Sequence, residues 1–247
     1  MIDAVIILVA GVAAGFLNVV AGGGSLITMP MLIFLGLPSA MANGTNRIAL
    51  MAQNIVAITS FRKSGYFDGK LGIMLAIPAV LGSIVGANAA IQLSDEVFNK
   101  ILSVVMIIVL LLIIWKPTKH LSPQEEASRN RKIAMIVAFF FVGFYGGFIQ
   151  AGVGFIIIAA LTVLSNMTLV KINSLKVFVV AIYMLSSLII FIINGEVHWG
   201  YGLTLAVGTS IGAWLGSRFA VSKGEKWIRI ILIVVVIGMA VRLWLQA

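Results

Sequence analysis

Long apolar runs separated by short polar punctuation set the pattern of this chain. In the first half the runs are Ala4–Val20, Leu26–Leu37, Ile48–Phe61, Leu71–Leu93 and Phe98–Trp115. A polar segment, Lys116 to Lys132, interrupts them near the middle of the chain. The second half then gives Ile133–Gln150, Phe155–Met167, Val177–Ile193, Tyr201–Val221 and Ile228–Leu245. A helix needs roughly 20 residues to cross a bilayer. Leu71–Leu93 meets that length, and Ile48–Phe61 meets it if its helix starts near Asn43. In both halves the second run is short and follows glycines, Gly22-Gly23-Gly24 in one and Gly152-Val153-Gly154 in the other. The pattern predicts an all-α, polytopic helical membrane protein. Each half has a short Gly-broken helix pair followed by three longer helices.

The halves are copies. Shifting the chain by 130 residues pairs Ala21–Pro117 with Ala151–Ala247 without a gap, with 18 identities in 97 pairs. Each window holds ten glycines and six coincide: Gly22/Gly152, Gly24/Gly154, Gly65/Gly195, Gly72/Gly202, Gly82/Gly212 and Gly86/Gly216. Chance would align about one, so the glycines carry the repeat more firmly than the identities do. The units are residues 1–115, a cytoplasmic linker at 116–132, and residues 133–247.

Composition says what solvates this chain. Of its 247 residues 61% are hydrophobic and 10% charged, against about 25% charged in a soluble domain. Lipid covers most of the surface. The formal net charge of +9 would point to nucleic acid in a soluble protein. Here the basic residues fall mainly in short loops and report topology instead, so no nucleic-acid partner is expected. With no cysteine, disulfides, thiolate metal sites and cysteine nucleophiles are excluded.

The Lys/Arg bias orients the repeats. Arg62, Lys63 and Lys70 place the loop after the third run in the cytoplasm, and the acidic Ser94-Asp95-Glu96 loop outside. In the second half the bias swaps sides. The Asn194–His198 loop has no Lys or Arg, whereas Arg218, Lys223, Lys226 and Arg229 follow the fourth run. The halves therefore read as inverted-topology repeats with both termini outside. This assignment puts 14 of the 17 basic residues inside, leaving Arg47, Lys100 and Arg242 outside.

Candidate chemistry gathers at the interruptions. A break at membrane depth exposes backbone groups that lipid cannot satisfy, so it must face protein or a wet cavity. The helices after Gly22, Gly23, Gly24 and Ser25, and after Gly152 and Gly154, would aim their free N–H groups and partial positive charge at a shared midplane. The alternative is that these glycines only permit a tight hairpin. Asn18 pairs with Gln150 at the preceding helix ends. After the short helices come Asn43, Asn46 and Arg47, and in the copy Asn173 and Lys176. The two cations would neutralise an anion. The two paired asparagines would either bond it or cap the third helix, and Lys176 would otherwise be a snorkelling boundary residue. Small residues four apart, Gly82, Gly86 and Ala90, with Gly208, Gly212, Gly216 and Ala220 in the copy, suit close helix packing. Titratable residues are nearly absent from the apolar runs, and no hydrolase, metal or phosphate-loop motif occurs. No cofactor, metal or catalytic residue is expected.

The segments GFLNVVAGGGSLITMPML and GFYGGFIQAGVGF, the NGTNR segment and the basic RKSGYFD loop resemble the sulfite exporter TauE/SafE family across almost the whole chain. The second glycine motif departs from the first, with Val153 and Phe155 in place of Gly and Ser. The resemblance implies a multi-pass transporter of the bacterial cytoplasmic membrane. It would export small sulfur-containing anions such as sulfite or organosulfonates. The site would comprise the residues just named, worked by alternating access. A passive anion channel is the competing reading, and an intramembrane enzyme a weaker one. The expected partners are a small anion, the bilayer and, as a further option, a second copy in a homodimer.

Overall fold

The computed structural model describes residues 2–20, 22–63, 65–115, 129–165 and 167–219, with positions 237, 241, 242 and 244 beyond them. The described residues form nine helices and no strand. They are α1 (Ile2–Val20), α2 (Ser25–Phe34), α3 (Ser39–Lys63), α4 (Gly69–Ala90), α5 (Asp95–Trp115), α6 (Arg129–Phe148), α7 (Val153–Leu164), α8 (Leu169–Ile193) and α9 (Trp199–Phe219). Most of the 116–132 linker, Lys223, Lys226 and Arg229, and the tenth apolar run apart from a few isolated positions lie outside the described residues.

Four helices, α1, α4, α6 and α8, are long and apolar enough to cross a bilayer. Their outward faces carry large aliphatic and aromatic side chains, among them Val9, Ile77, Leu81, Phe141 and Leu185. The inward face of α4 uses smaller ones. On α4 the buried positions are Gly72, Ala76, Ala79, Gly82, Ser83, Gly86, Ala87 and Ala90, with Leu75 the exception in size. An apolar exterior over a small-residue contact face, as on α4, is what lipid solvation and close helix packing together produce.

The two halves interleave. α1 packs along α9 and α6 along α4, while α3 and α8 lie against each other and against α9 and α4. A Cβ built at Gly82 would lie 2.0 Å from the Phe140 carbonyl oxygen, and one at Gly86 2.0 Å from that of Phe144. α4 and α6 therefore ascend together at a separation that only hydrogen permits. The same steps relate α9 to α1, since Gly208 meets Leu8, Gly212 meets Val12 and Gly216 meets Phe16. α3 and α8 run in opposite directions. Arg47, early in α3, reaches Ser187, late in α8, whereas Ala57 and Phe61 cluster with Val177.

α3 begins at Ser39 rather than near Asn43. Ser39 N donates to the Asp95 carboxylate at 2.7 Å and Ser39 Oγ to Asn99 Oδ1 at 3.0 Å. Asp95, read from sequence as part of a loop, is thus the first residue of α5 and holds the start of α3.

Candidate functional site

The two chain breaks meet. α1 ends at Val20, and Gly22 turns back with φ +86°. Its amide donates to the Leu17 and Asn18 carbonyls at 3.1 and 2.9 Å. α6 ends at Phe148, and the turn before α7 holds Gln150 at φ 69° and Gly152 at φ 72°. A left-handed conformation is strained for glutamine. Tyr183 Oη holds Gln150 there by donating to its Oε1 at 3.0 Å. Gly22 and Gly154 then touch backbone to backbone, since a Cβ on Gly154 would fall 2.6 Å from the Gly22 oxygen. Beside them the Gly152 amide donates to Ser25 Oγ at 3.0 Å, a bond between the two halves.

The helix starts are less open than the sequence suggests. In the first turn of α2, Leu26 N and Ile27 N donate to the Gly23 and Gly24 carbonyls. In α7, Val153 N and Phe155 N donate to Gln150 and Gly152. The expected free N–H groups are therefore already paired at these four positions, and side chains must supply most of the donors for an anion.

Those side chains come from α3 and α8. Arg47 is fully buried. A helix leaves its last carbonyls unpaired and partly negative, and Arg47 covers those of α6. Nη1 donates to Gly146 O at 3.1 Å and Ser187 Oγ at 2.7 Å; Nη2 donates to Gly147 O at 2.5 Å and Asn43 Oδ1 at 3.1 Å. The guanidinium also lies 4.6 Å from the Phe191 ring centroid. Asn43 Nδ2 donates to the next carbonyl, Phe148 O, at 2.7 Å.

Lys176 serves the α1 break in the same way. Its Nζ donates to Asn18 O at 3.2 Å and Asn173 Oδ1 at 2.9 Å. It is 3% exposed, which sets aside the snorkelling alternative. Asn43 and Asn173 lie inside α3 and α8, not at their starts. The capping alternative fails for both, because the helices extend a full turn further back. Arg47 and Lys176 are buried without a buried carboxylate among the described residues. Carbonyl dipoles, with the Ser187 hydroxyl and the Phe191 ring at Arg47, offset their charge.

All thirteen candidate residues lie on α1, α2, α3, α7 and α8 or in the two breaks, and the hydrogen bonds above join many of them. Sequence reasoning omitted Tyr183 and Ser187. The signal was present: Asn173, Lys176, Val180, Tyr183 and Ser187 follow three- and four-residue steps, marking one polar-tipped face on an apolar helix. It also left Thr28, Gln53 and Asn54 out of the site.

An apolar helical exterior around buried cations and paired chain breaks is the build of a polytopic membrane protein. The comparisons carry this to the family. The family model described as sulfite exporter TauE/SafE matches residues 7–243, and the chain belongs to that family. A probable membrane transporter protein, ORF9 of Sinorhizobium sp, is 28% identical over 95% of this chain and 90% of its own length. The Escherichia coli K12 protein YfcA, also named a probable membrane transporter, is 30% identical over 93% of this chain and 85% of its own. Bacillus subtilis YunE, similarly named, is 24% identical over 94% of each chain. No solved structure matches.

Proposed function

We propose that this protein is a secondary transporter, working as an exporter of small sulfur-containing anions such as sulfite or organosulfonates across the bacterial cytoplasmic membrane. The observation that carries this reading is the meeting of the two breaks, Gly22 against Gly154 and Ser25 against Gly152, beside two buried cations with no buried carboxylate among the described residues. A positive interior offset only by neutral groups, at the junction of two halves, suits an anion that is held and then released.

The halves act as inverted repeats and rock about this junction in alternating access. The antiparallel crossing of α3 and α8 supports that reading, because they hold equivalent places in the two copies. So does the exchange of partners, α1 with α9 and α6 with α4. The substrate meets Asn18, Gly22, Gly23, Gly24, Ser25, Asn43, Asn46 and Arg47 from one half and Gln150, Gly152, Gly154, Asn173 and Lys176 from the other. The inside-negative potential favours export of a negative charge without a coupling ion.

The test is flux of radiolabelled sulfite, sulfate and methanesulfonate in proteoliposomes, with counterflow. Saturable uptake accelerated by unlabelled substrate on the far side is expected. Linear, non-saturating flux without counterflow would replace the transporter by a channel.

A further inference from the structure

Polar groups buried in an apolar interior are nearly always hydrogen-bonded, because an unpaired one has lost water and gained nothing. α3 departs from that rule. Both amide atoms of Asn46 and both of Gln53 have no partner, and neither does the Thr28 hydroxyl on α2. Asn46 and Thr28 are 0% exposed and Gln53 is 1% exposed. At the 130-residue spacing, Lys176 and Tyr183 stand in the places of Asn46 and Gln53. Those two counterparts are bonded, to Asn18 and Asn173 and to Gln150. The unpaired amides thus belong to the first copy alone.

Their direction follows from helix geometry. At about 100° per residue, Asn46 and Gln53 stand within about 20° of each other on α3. On one flank of that line Ala42 and Ala49 cluster with Met31 and Leu32 of α2. On the other flank Leu50 clusters with Val153 and Ile157 of α7. Both amides therefore lie on one interior stripe of α3, between a cluster that takes in α1, α2 and α9 and one that takes in α4, α6, α7 and α8. On α2, Thr28 projects between Ser25, which meets the start of α7, and Met31, which belongs to the cluster with α3. All three groups are thus buried on α2 and α3, two helices that pack together.

We infer that Asn46, Gln53 and Thr28 form an oxyanion-recognition site in the interior lined by α2 and α3, beside the Arg47 charge. This rests on the transport reading and names how its substrate is recognised. Two amide NH2 groups and a hydroxyl offer several donors from two helices, which suits an ion with several acceptor oxygens better than a single-atom halide. The two amide oxygens receive a hydroxyl of the ion or a water that it carries. With the backbone amides at the helix starts mostly paired, these neutral side chains select the ion and the buried cations attract it.

A site of this kind leaves a signature that a structural role does not. Asn46→Leu, Gln53→Leu and Thr28→Val each remove an unpaired polar group, so the ligand-free melting temperature stays level or rises. At the same time the melting-temperature increase produced by sulfite is lost, and KM for sulfite flux rises at least tenfold. Thr28→Ser keeps both responses. Thr28→Val is nearly isosteric and guards against a leucine variant that fails to fold. Variants that melt lower without ligand and keep a normal KM would overturn the assignment, since the groups would then be structural. Chloride stabilising the wild type as well as sulfite does would overturn the oxyanion class. Sulfite stabilisation that the variants abolish, in a wild type that carries no flux, would refute transport and keep the site. A wild type that neither binds nor carries sulfite, sulfate or phosphate would refute both.

Discussion

Ser25 Oγ accepts a hydrogen bond from the Gly152 amide at 3.0 Å, across 127 positions of chain. The first residue of α2 is thereby tied to the cap of α7, and the two breaks are held in register. Ser25→Ala leaves the buried Gly152 amide unpaired, at a cost of about 1–3 kcal/mol. A melting temperature several degrees below wild type in detergent is the expected result, with Ser25→Thr close to normal. An unchanged melting temperature for the alanine variant would show that the bond does not hold the junction.

The contact between Gly22 and Gly154 leaves no room for a side chain. A methyl group at Gly154 would meet the Gly22 oxygen at 2.6 Å and Cα at 2.7 Å, and neither backbone atom has slack. At Gly22 the left-handed φ of +86° adds about 1–2 kcal/mol of strain for any L-residue. Gly154→Ala and Gly22→Ala should both lose most of the monodisperse yield. Gly200→Ala is the control, because its new methyl meets nothing nearer than 3.5 Å. Its stability should stay within about 0.5 kcal/mol of wild type. Equal behaviour of Gly154→Ala and Gly200→Ala in size-exclusion profiles would mean that the breaks are not in contact.

How far these relationships were legible differed by element. The helices were readable because lipid solvation writes itself as apolar length, and the starts of the short ones were marked by glycine. The start of α3 was hidden, because Met41, Asn43, Gly44, Thr45 and Asn46 mix apolar and polar types. Only burial inside a protein-lined interior makes a helix of them. The partners of Arg47 were equally hidden: they are the Gly146 and Gly147 carbonyls, about 100 residues away. Lys176 likewise found its partner in Asn18, 158 positions distant. Sequence supplied the groups, and only the interleaving of the two halves brought them to the broken helix ends.

Arg47 and Lys176 differ in how much structure depends on them. Arg47 makes four hydrogen bonds and lies over the Phe191 ring, whereas Lys176 makes two. Hydrogen bonds to charged groups contribute about 1.5–3 kcal/mol each, and orphaned acceptors add to the loss. Arg47→Met should therefore destabilise by about 2–4 kcal/mol and exceed the loss in Lys176→Met. Arg47→Lys should recover only part, because one ammonium cannot reproduce the planar fork that reaches Gly146 and Gly147 together. Thermal melts of the three variants decide this, and a larger loss in Lys176→Met would reverse the assignment of Arg47 as the chief strut.

Inversion of the halves has its own measurement. Tyr66 follows α3 and Asn194 follows α8, the equivalent helix, and both are exposed. Since α3 and α8 cross in opposite directions, the loops that follow them should open on opposite sides of the bilayer. The chain has no native cysteine, so Tyr66→Cys and Asn194→Cys each provide one thiol without further engineering. Neither loop position is packed in the interior, and both variants should express normally. A membrane-impermeant maleimide applied to intact spheroplasts should label Asn194→Cys and leave Tyr66→Cys unmodified until the membrane is opened. The basic residues Arg62, Lys63 and Lys70 around Tyr66, against none between Asn194 and His198, set that polarity. Labelling of both thiols from the outside would place the two loops on one face, and the inverted arrangement with its rocking mechanism would have to be abandoned.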